Sequence, residues 1–272
     1  MNFSFTSYLK RLRSILIGVL IISFLPSIFF GIAPLQSMKL WEYTIENRKY
    51  SLFPNIFDKF FYSMTIFFTA LLLGLLVALL LTFLATLLPR PLKRAVYGFL
   101  TLLESLPDLF IVIALQVSAV YIFKKTGLLI ANVSGVYDNR IYFFPILTLS
   151  VLPTIQLFKI TFLLMKEEQN KPYITVARAM GLGNLYITLN HVFRNIMTSL
   201  FQYSKTIFVF MLSNLFILEY VFNLNGIMTI MLNTQGVSFI ITVLFIAIPF
   251  SFLFEVMESY RGGLNVQKED AA

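Results

Sequence analysis

The chain has 272 residues, of which 58% are hydrophobic and 12% are charged. Soluble domains carry about 25% charged residues, so the composition excludes an ordinary soluble domain and indicates a helical membrane protein. The absence of cysteine excludes disulfides and thiolate ligands. The net charge of +8 does not indicate nucleic acid, because lysines and arginines flank the apolar segments as they do in membrane proteins.

Apolar runs predict an all-α, single-domain protein (residues 1–272) with six transmembrane helices, because about 20 apolar residues cross a bilayer. The first run follows a basic cluster and is too long for a typical signal-peptide core, so we expect it to be retained. The third is interrupted by "ESLPD", where Pro107 removes a ladder hydrogen bond. In chain order the predicted spans are about 14–34, 60–88, 95–123, 141–165, 200–222 and 237–260.

The distribution of positive charge predicts the orientation of the spans. Six spans place both termini on one side of the membrane, and more of the lysines and arginines fall on that side than on the other. Cytoplasmic segments carry an excess of these residues. We therefore expect both termini to be cytoplasmic.

The segment Tyr173–Asn195 is too polar to be a further span. Arg178 and Arg194 would cost on the order of 5–7 kcal/mol at the centre of a bilayer. Gly181 and Gly183 predict a turn between two helices, because glycine readily takes positive φ. Helical spacing on one face is shared by Leu182, Leu185, Leu189, Val192 and Ile196. The segment either docks in the groove of a partner or lies in the membrane interface.

The same segment, read as "ARAMGLGNLYITLNHVFRN", resembles a known family motif. It is similar to the "EAA" loop of membrane subunits of bacterial binding-protein-dependent ABC importers, which in the oligopeptide, dipeptide and nickel branch reads like "ARAKGLS…HVLRN". "ESLPDLF" and "LEYVFNLNGI" resemble further stretches of that branch. The residues in register within the loop are Ala177, Arg178, Ala179, Gly181, Leu182, His191, Val192, Arg194 and Asn195.

The resemblance implies a permease subunit that forms a translocation pathway for a small solute, with peptides as the expected substrate. Its expected partners are two ABC ATPase subunits, a second related permease, an extracytoplasmic substrate-binding protein and membrane lipid, in the bacterial cell membrane. ATP and magnesium would bind the ATPase subunits, and no cofactor is expected in this chain. Residues 166–199 would be a cytoplasmic coupling loop, whose ATPase-coupling residues would be Ala177, Arg178, Ala179, Gly181, Leu182, His191, Arg194 and Asn195.

Several polar residues and one proline fall within or near the predicted spans. Intramembrane polar side chains line pathways, or pair with one another inside the helix bundle. Both interpretations stay open for the pathway candidates, which are Glu104, Pro107, Asp108, Gln156, Gln202, Asn214 and Glu219.

The chain carries no sequence motif for catalysis or metal binding. It lacks the phosphate loop G-x-x-x-x-G-K-[ST] and the zinc motif H-E-x-x-H, so we expect no enzymatic activity in the chain itself. The alternative from another class is a stand-alone secondary transporter or channel. Within the importer class, the alternative substrates are nickel or another metal chelate and amino acids.

Overall fold

The computed structural model describes residues 5–30, 41–45, 48–127, 132, 134–135, 140–234 and 236–269. Most of these residues are helical, and they belong to two compact units, Met1–Thr65 with Asn223–Ala272 and Ile66–Phe222. The elements are α1 (Phe5–Phe30), β1 (Glu42–Ile45), β2 (Arg48–Ser51), α2 (Asn55–Leu87), α3 (Arg90–Glu104), α4 (Asp108–Thr126), α5 (Phe143–Glu168), α6 (Pro172–Ala179), α7 (Asn184–Tyr186), a π-helical segment (Ile187–Phe193), α8 (Arg194–Val221), α9 (Ile227–Asn233) and α10 (Gly236–Glu269).

The first unit contains two packed helices and a small hairpin. Helices α1 and α10 pack together, and the rings of Tyr8 and Phe252 meet edge to face at 6.1 Å. Strands β1 and β2 pair antiparallel, with Tyr43 opposite Tyr50 and their rings stacked at 5.5 Å. Such cross-strand aromatic pairs stabilise a hairpin. The predicted all-α class is confirmed for most of the chain, and the hairpin is an addition that the sequence analysis missed.

Four helices of the described part are long and apolar enough to cross a membrane: Asn55–Leu87, Asp108–Thr126, Phe143–Glu168 and Val237–Val256. A helical pair bent by 50°, Asn184–Tyr203 with Lys205–Val221, gives a fifth span if it is counted as one. The predicted first span falls on α1 and on residues 31–34, which lie outside the described part. The membrane character predicted from the sequence is confirmed. The described residues give four or five candidate spans, so the count of about six stays a prediction.

The predicted third span, residues 95–123, is broken at the predicted interruption, and its two parts are separate helices. Helix α3 ends at Glu104 and α4 begins at Asp108, with Pro107 at the N-cap of α4. Proline disfavours a helical conformation in the residue before it, so the helix cannot continue through Leu106 into α4. Only α4 has the length and apolarity of a span.

A glycine lets α2 approach α5 closely within the second unit. A Cβ atom on Gly74 would lie 3.2 Å from the Ser150 carbonyl oxygen and 3.3 Å from Pro153 Cγ. The Thr154 hydroxyl donates a hydrogen bond to the Gly74 carbonyl oxygen at 3.3 Å. Small residues and interhelical hydrogen bonds of this kind hold membrane helices together.

We predict that Gly74→Leu lowers the stability of the protein by about 1–3 kcal/mol, because the new side chain has no room against α5. The matched control is Gly98→Leu in α3, since a Cβ at Gly98 meets nothing within 4 Å. Thermal unfolding of the purified variants in mild detergent measures the difference. Equal unfolding temperatures for the two variants would contradict the close packing at Gly74.

Candidate functional site

Helix α6 ends in a tight turn built around Gly181. The Leu182 amide donates to the Ala177 carbonyl oxygen at 3.2 Å, and the Gly181 amide donates to the Arg178 carbonyl oxygen at 3.0 Å. Gly181 has φ of +81°. These two bonds and a glycine in the left-handed region define a Schellman motif, which satisfies the last carbonyl groups of a helix. The turn predicted at Gly181 is confirmed.

Helix α6 and the helix that begins at Asn184 form what we call the helix pair. Gly183 lies just before the second of these helices and has an extended backbone with φ of −64°. Helix α7, the π-helical segment and α8 then follow one another from Asn184 to Val221, with the 50° bend between Tyr203 and Lys205. Gly183 therefore precedes the helix without needing the conformational freedom of glycine, unlike Gly181. The two glycines differ in this one respect, because a Cβ atom at either would meet nothing within 4 Å.

The π-helical segment changes which side chains face inward. Its backbone hydrogen bonds join residues five apart, so Ile187 and Val192 are both buried on the same side. Leu185 and Leu189 are 52% and 49% exposed. The five residues predicted to share one apolar face therefore do not share it, because the prediction assumed α-helical spacing throughout. Val192 and Ile196 are buried, on a different side from Leu185 and Leu189.

An apolar cluster fixes the base of the helix pair to the ends of α5 and α8. Ala177 belongs to this cluster and Leu182 packs against it. Both of these predicted coupling residues therefore stabilise the base of the pair through apolar contacts inside this chain. The buried members are Met165, Ile174, Ala177, Ile187, Val192, Ile196 and Leu200.

The outer side of the pair exposes large apolar side chains. Met180, beside the turn, is 75% exposed. We call the following set the exposed tip: Val176, Met180, Leu185, Tyr186 and Leu189. Arg178, Ala179 and Arg194 are also exposed on these helices. Exposed apolar side chains grouped among charged ones mark interaction surfaces.

A polar groove follows the second helix of the pair and has a volume of about 610 Å³. It brings together three of the predicted coupling residues, His191, Arg194 and Asn195. The His191 ring is half-buried and meets the Tyr186 ring edge to face at 5.9 Å. The groove therefore runs beside the exposed tip and shares Tyr186 and Leu189 with it.

Asn195 also belongs to a hydrogen-bond network that the sequence analysis did not find. Glu168 Oε1 accepts hydrogen bonds from the Tyr173 hydroxyl at 2.7 Å and from Asn195 Nδ2 at 3.1 Å. Asn195 Nδ2 also donates to the Tyr173 hydroxyl oxygen at 3.0 Å, and Lys171 Nζ lies 2.7 Å from Glu168 Oε2. Burial and the Glu168 carboxylate raise the pKa of Tyr173, so its hydroxyl stays protonated and remains a donor.

The pathway candidates lie on several helices. Glu104 ends α3 and forms an ion pair with Lys159 of α5, which is the internal pairing that the sequence analysis left open. Pro107 and Asp108 lie at the break between α3 and α4, Gln156 is half-buried on α5, and Gln202 is exposed on α8.

Two further candidates on α8 are buried. Asn214 donates from Nδ2 to the Phe210 carbonyl oxygen at 3.1 Å, while its buried Oδ1 has no hydrogen-bond partner in the structure. Glu219 is almost fully buried. Buried polar side chains in a membrane helix are costly. Contact with lipid therefore does not account for Asn214 and Glu219 on α8.

A family model described as "Binding-protein-dependent transport system inner membrane component" matches residues 71–261. This range covers most of the chain and includes the helix pair, the network around Glu168 and every pathway candidate. The comparison with curated proteins returned no match.

Proposed function

Because the chain belongs to the family of binding-protein-dependent transport system inner membrane components, we propose that its helix pair is the surface on which a separate ATPase subunit docks. As a member of this family, the chain is a membrane permease component of an ABC transporter and works with other transporter subunits. The observation that carries the proposal is the exposed tip, since large apolar side chains surround Met180 on a firmly anchored helix pair.

We expect a movement of the exposed tip to reach the membrane helices through the apolar cluster at the base of the pair. The pair is anchored in the same apolar cluster as the end of α5 and the start of α8. An amphipathic helix seated in a partner's groove presents its apolar side chains as anchors, and the polar groove with Arg194 supplies polar contacts at the rim. A movement of the docked subunit would reach α5 and α8 through this cluster. ATP binding and hydrolysis belong, in this proposal, to the partner subunit.

The remaining parts of the proposal concern the pathway and its other subunits. We assign the pathway to the spans of this chain together with those of a second, related permease, and substrate delivery to an extracytoplasmic binding protein. The buried polar side chains Asn214 and Glu219 on α8 support a polar lining, since such groups mark substrate pathways in membrane helices. We place both termini and the helix pair on the cytoplasmic side, supported by the excess of positive charge there.

For the substrate we propose peptides, supported by the register of Ala177 to Asn195 on the loop of the peptide and nickel branch. Uptake of a labelled tripeptide by cells that express the complete transporter tests this. We expect uptake that a deletion of the chain abolishes. Uptake of nickel or of an amino acid in the same assay, without uptake of the peptide, would contradict the peptide assignment and leave the permease assignment intact.

We predict that Met180→Asp abolishes co-purification of the ATPase subunits, because an aspartate would have to be buried unpaired in an apolar groove. The matched control is Asn170→Asp, which adds the same charge at another exposed position, between α5 and α6. Affinity purification from the native membrane in mild detergent, followed by mass spectrometry, measures the ATPase recovered per chain.

Two results of that purification would contradict the docking role. The first is equal loss of ATPase in the two variants. The second is an unsubstituted chain that emerges alone while another ABC importer survives the same procedure, which would favour a stand-alone transporter or channel.

We predict that Gly181→Ala uncouples ATP hydrolysis from transport, whereas Gly183→Ala does not. A side chain in the left-handed region costs roughly 1–2 kcal/mol, and of these two glycines Gly181 is the one with positive φ. Gly181→Leu should act in the same direction. The ratio of solute transported to ATP hydrolysed by the reconstituted transporter measures coupling. Normal transport in the Gly181 variants would show that the angle of this turn is not needed.

A further inference from the structure

One buried carboxylate joins three helices at the base of the helix pair. Glu168 ends α5 and is 8% exposed. Its hydrogen-bond donors Tyr173 and Asn195 lie on α6 and α8. These two donors also bond to each other, so the three side chains form a closed triangle. Loss of any one side chain removes two of its three contacts.

The triangle restrains the pair in a way that the apolar cluster does not. Apolar burial is non-directional, so the cluster holds the helices together with less control of their rotation than hydrogen bonds give. Hydrogen bonds lose strength steeply when their angles depart from linearity. A buried polar oxygen must also keep a donor. Tyr173 and Asn195 are the donors to Glu168 Oε1, whereas Oε2 lies 2.7 Å from Lys171 Nζ. The contacts of Glu168 therefore select one orientation of α6 and α8 relative to α5.

The triangle also maintains the π-helical segment. Asn195 lies just beyond this segment, two residues after Phe193. If the segment became α-helical, its two flanking parts would rotate relative to each other by about 100°, the angle that one residue occupies in an α-helix. Asn195 would then leave Glu168, or Leu185 and Leu189 would leave the exposed tip.

We infer that Glu168 is a positioning residue which, through Tyr173 and Asn195, fixes the rotation of the exposed tip relative to α5 and α8. Its consequence for transport rests on the proposed function, since the tip would be the docking surface for the ATPase. Without the triangle, the ATPase still binds the apolar side chains of the exposed tip. Its movement then rotates the tip and is not transmitted to α5 and α8.

Three variants test the role of Glu168. Asn195→Asp keeps the shape of the side chain and places a second carboxylate against Glu168. Glu168→Gln in the same chain removes that repulsion and supplies an amide donor for the aspartate, so the double variant restores the contact. Tyr173→Phe removes one hydroxyl group only, and it keeps the inference testable if Asn195→Asp does not fold.

The orientation of the tip is measured directly with two spin labels. The chain has no cysteine, so Asn184→Cys on the pair and Leu163→Cys on α5, both at exposed positions, give specific labelling of the full chain. Electron paramagnetic resonance then reports the distribution of label distances. We expect a single narrow distribution that is lost in Asn195→Asp and in Tyr173→Phe, and recovered in the double variant. Narrow distributions in all variants, or no recovery in the double variant, would overturn the inference.

The same purified samples separate this inference from the proposed function. The ATPase recovered with each variant is measured alongside the label distances, and we expect it to be retained in Tyr173→Phe, because Tyr173 belongs neither to the exposed tip nor to the polar groove. If the unsubstituted chain brings no ATPase, the docking proposal fails, whereas the distance distributions still decide the positioning role of Glu168. Loss of ATPase from Tyr173→Phe, together with an unchanged distance distribution, would place Tyr173 in the docking surface and overturn the inference.

Discussion

The cost of charge in hydrocarbon organises the structure. An arginine at the centre of a membrane helix costs about 2.5–3.5 kcal/mol, and each candidate span contains an 18-residue stretch with at most two charged residues. The chain places Lys171, Arg178 and Arg194 instead in and beside the short helices between α5 and the bend near Tyr203. These helices can therefore meet a soluble partner, while the spans remain compatible with lipid.

A helix pair outside the spans can transmit force only if it is stiff. Three features make the helix pair stiff. The Schellman motif at Gly181 fixes the turn, the apolar cluster around Val192 fixes the base, and the Glu168 triangle fixes the rotation. Each depends on the others, because the turn sets where α7 begins and the π-helical segment sets which residues reach the cluster and the triangle.

The turn and the membrane character followed from the sequence because their signals are local. Gly181 lies just after an alanine-rich helix, and long apolar runs need no tertiary context to be recognised. The separation of the buried Val192 from the exposed Leu185 and Leu189 did not follow, because a π-helical turn leaves no mark in the spacing of apolar residues. The Glu168 triangle was also missed, since Asn195 lies 27 residues further along the chain and only the folded chain brings the two side chains together.

The central claim is that a separate ATPase contacts the exposed tip. A single cysteine introduced as Met180→Cys in this cysteine-free chain allows a short thiol-to-amine crosslinker to be placed there in native membranes, with Asn170→Cys as the matched position. Mass spectrometry of the crosslinked product identifies the neighbour. We predict a protein that carries the phosphate loop G-x-x-x-x-G-K-[ST], recovered from Met180→Cys and not from Asn170→Cys. Labelled Met180→Cys that yields no such product would contradict the account.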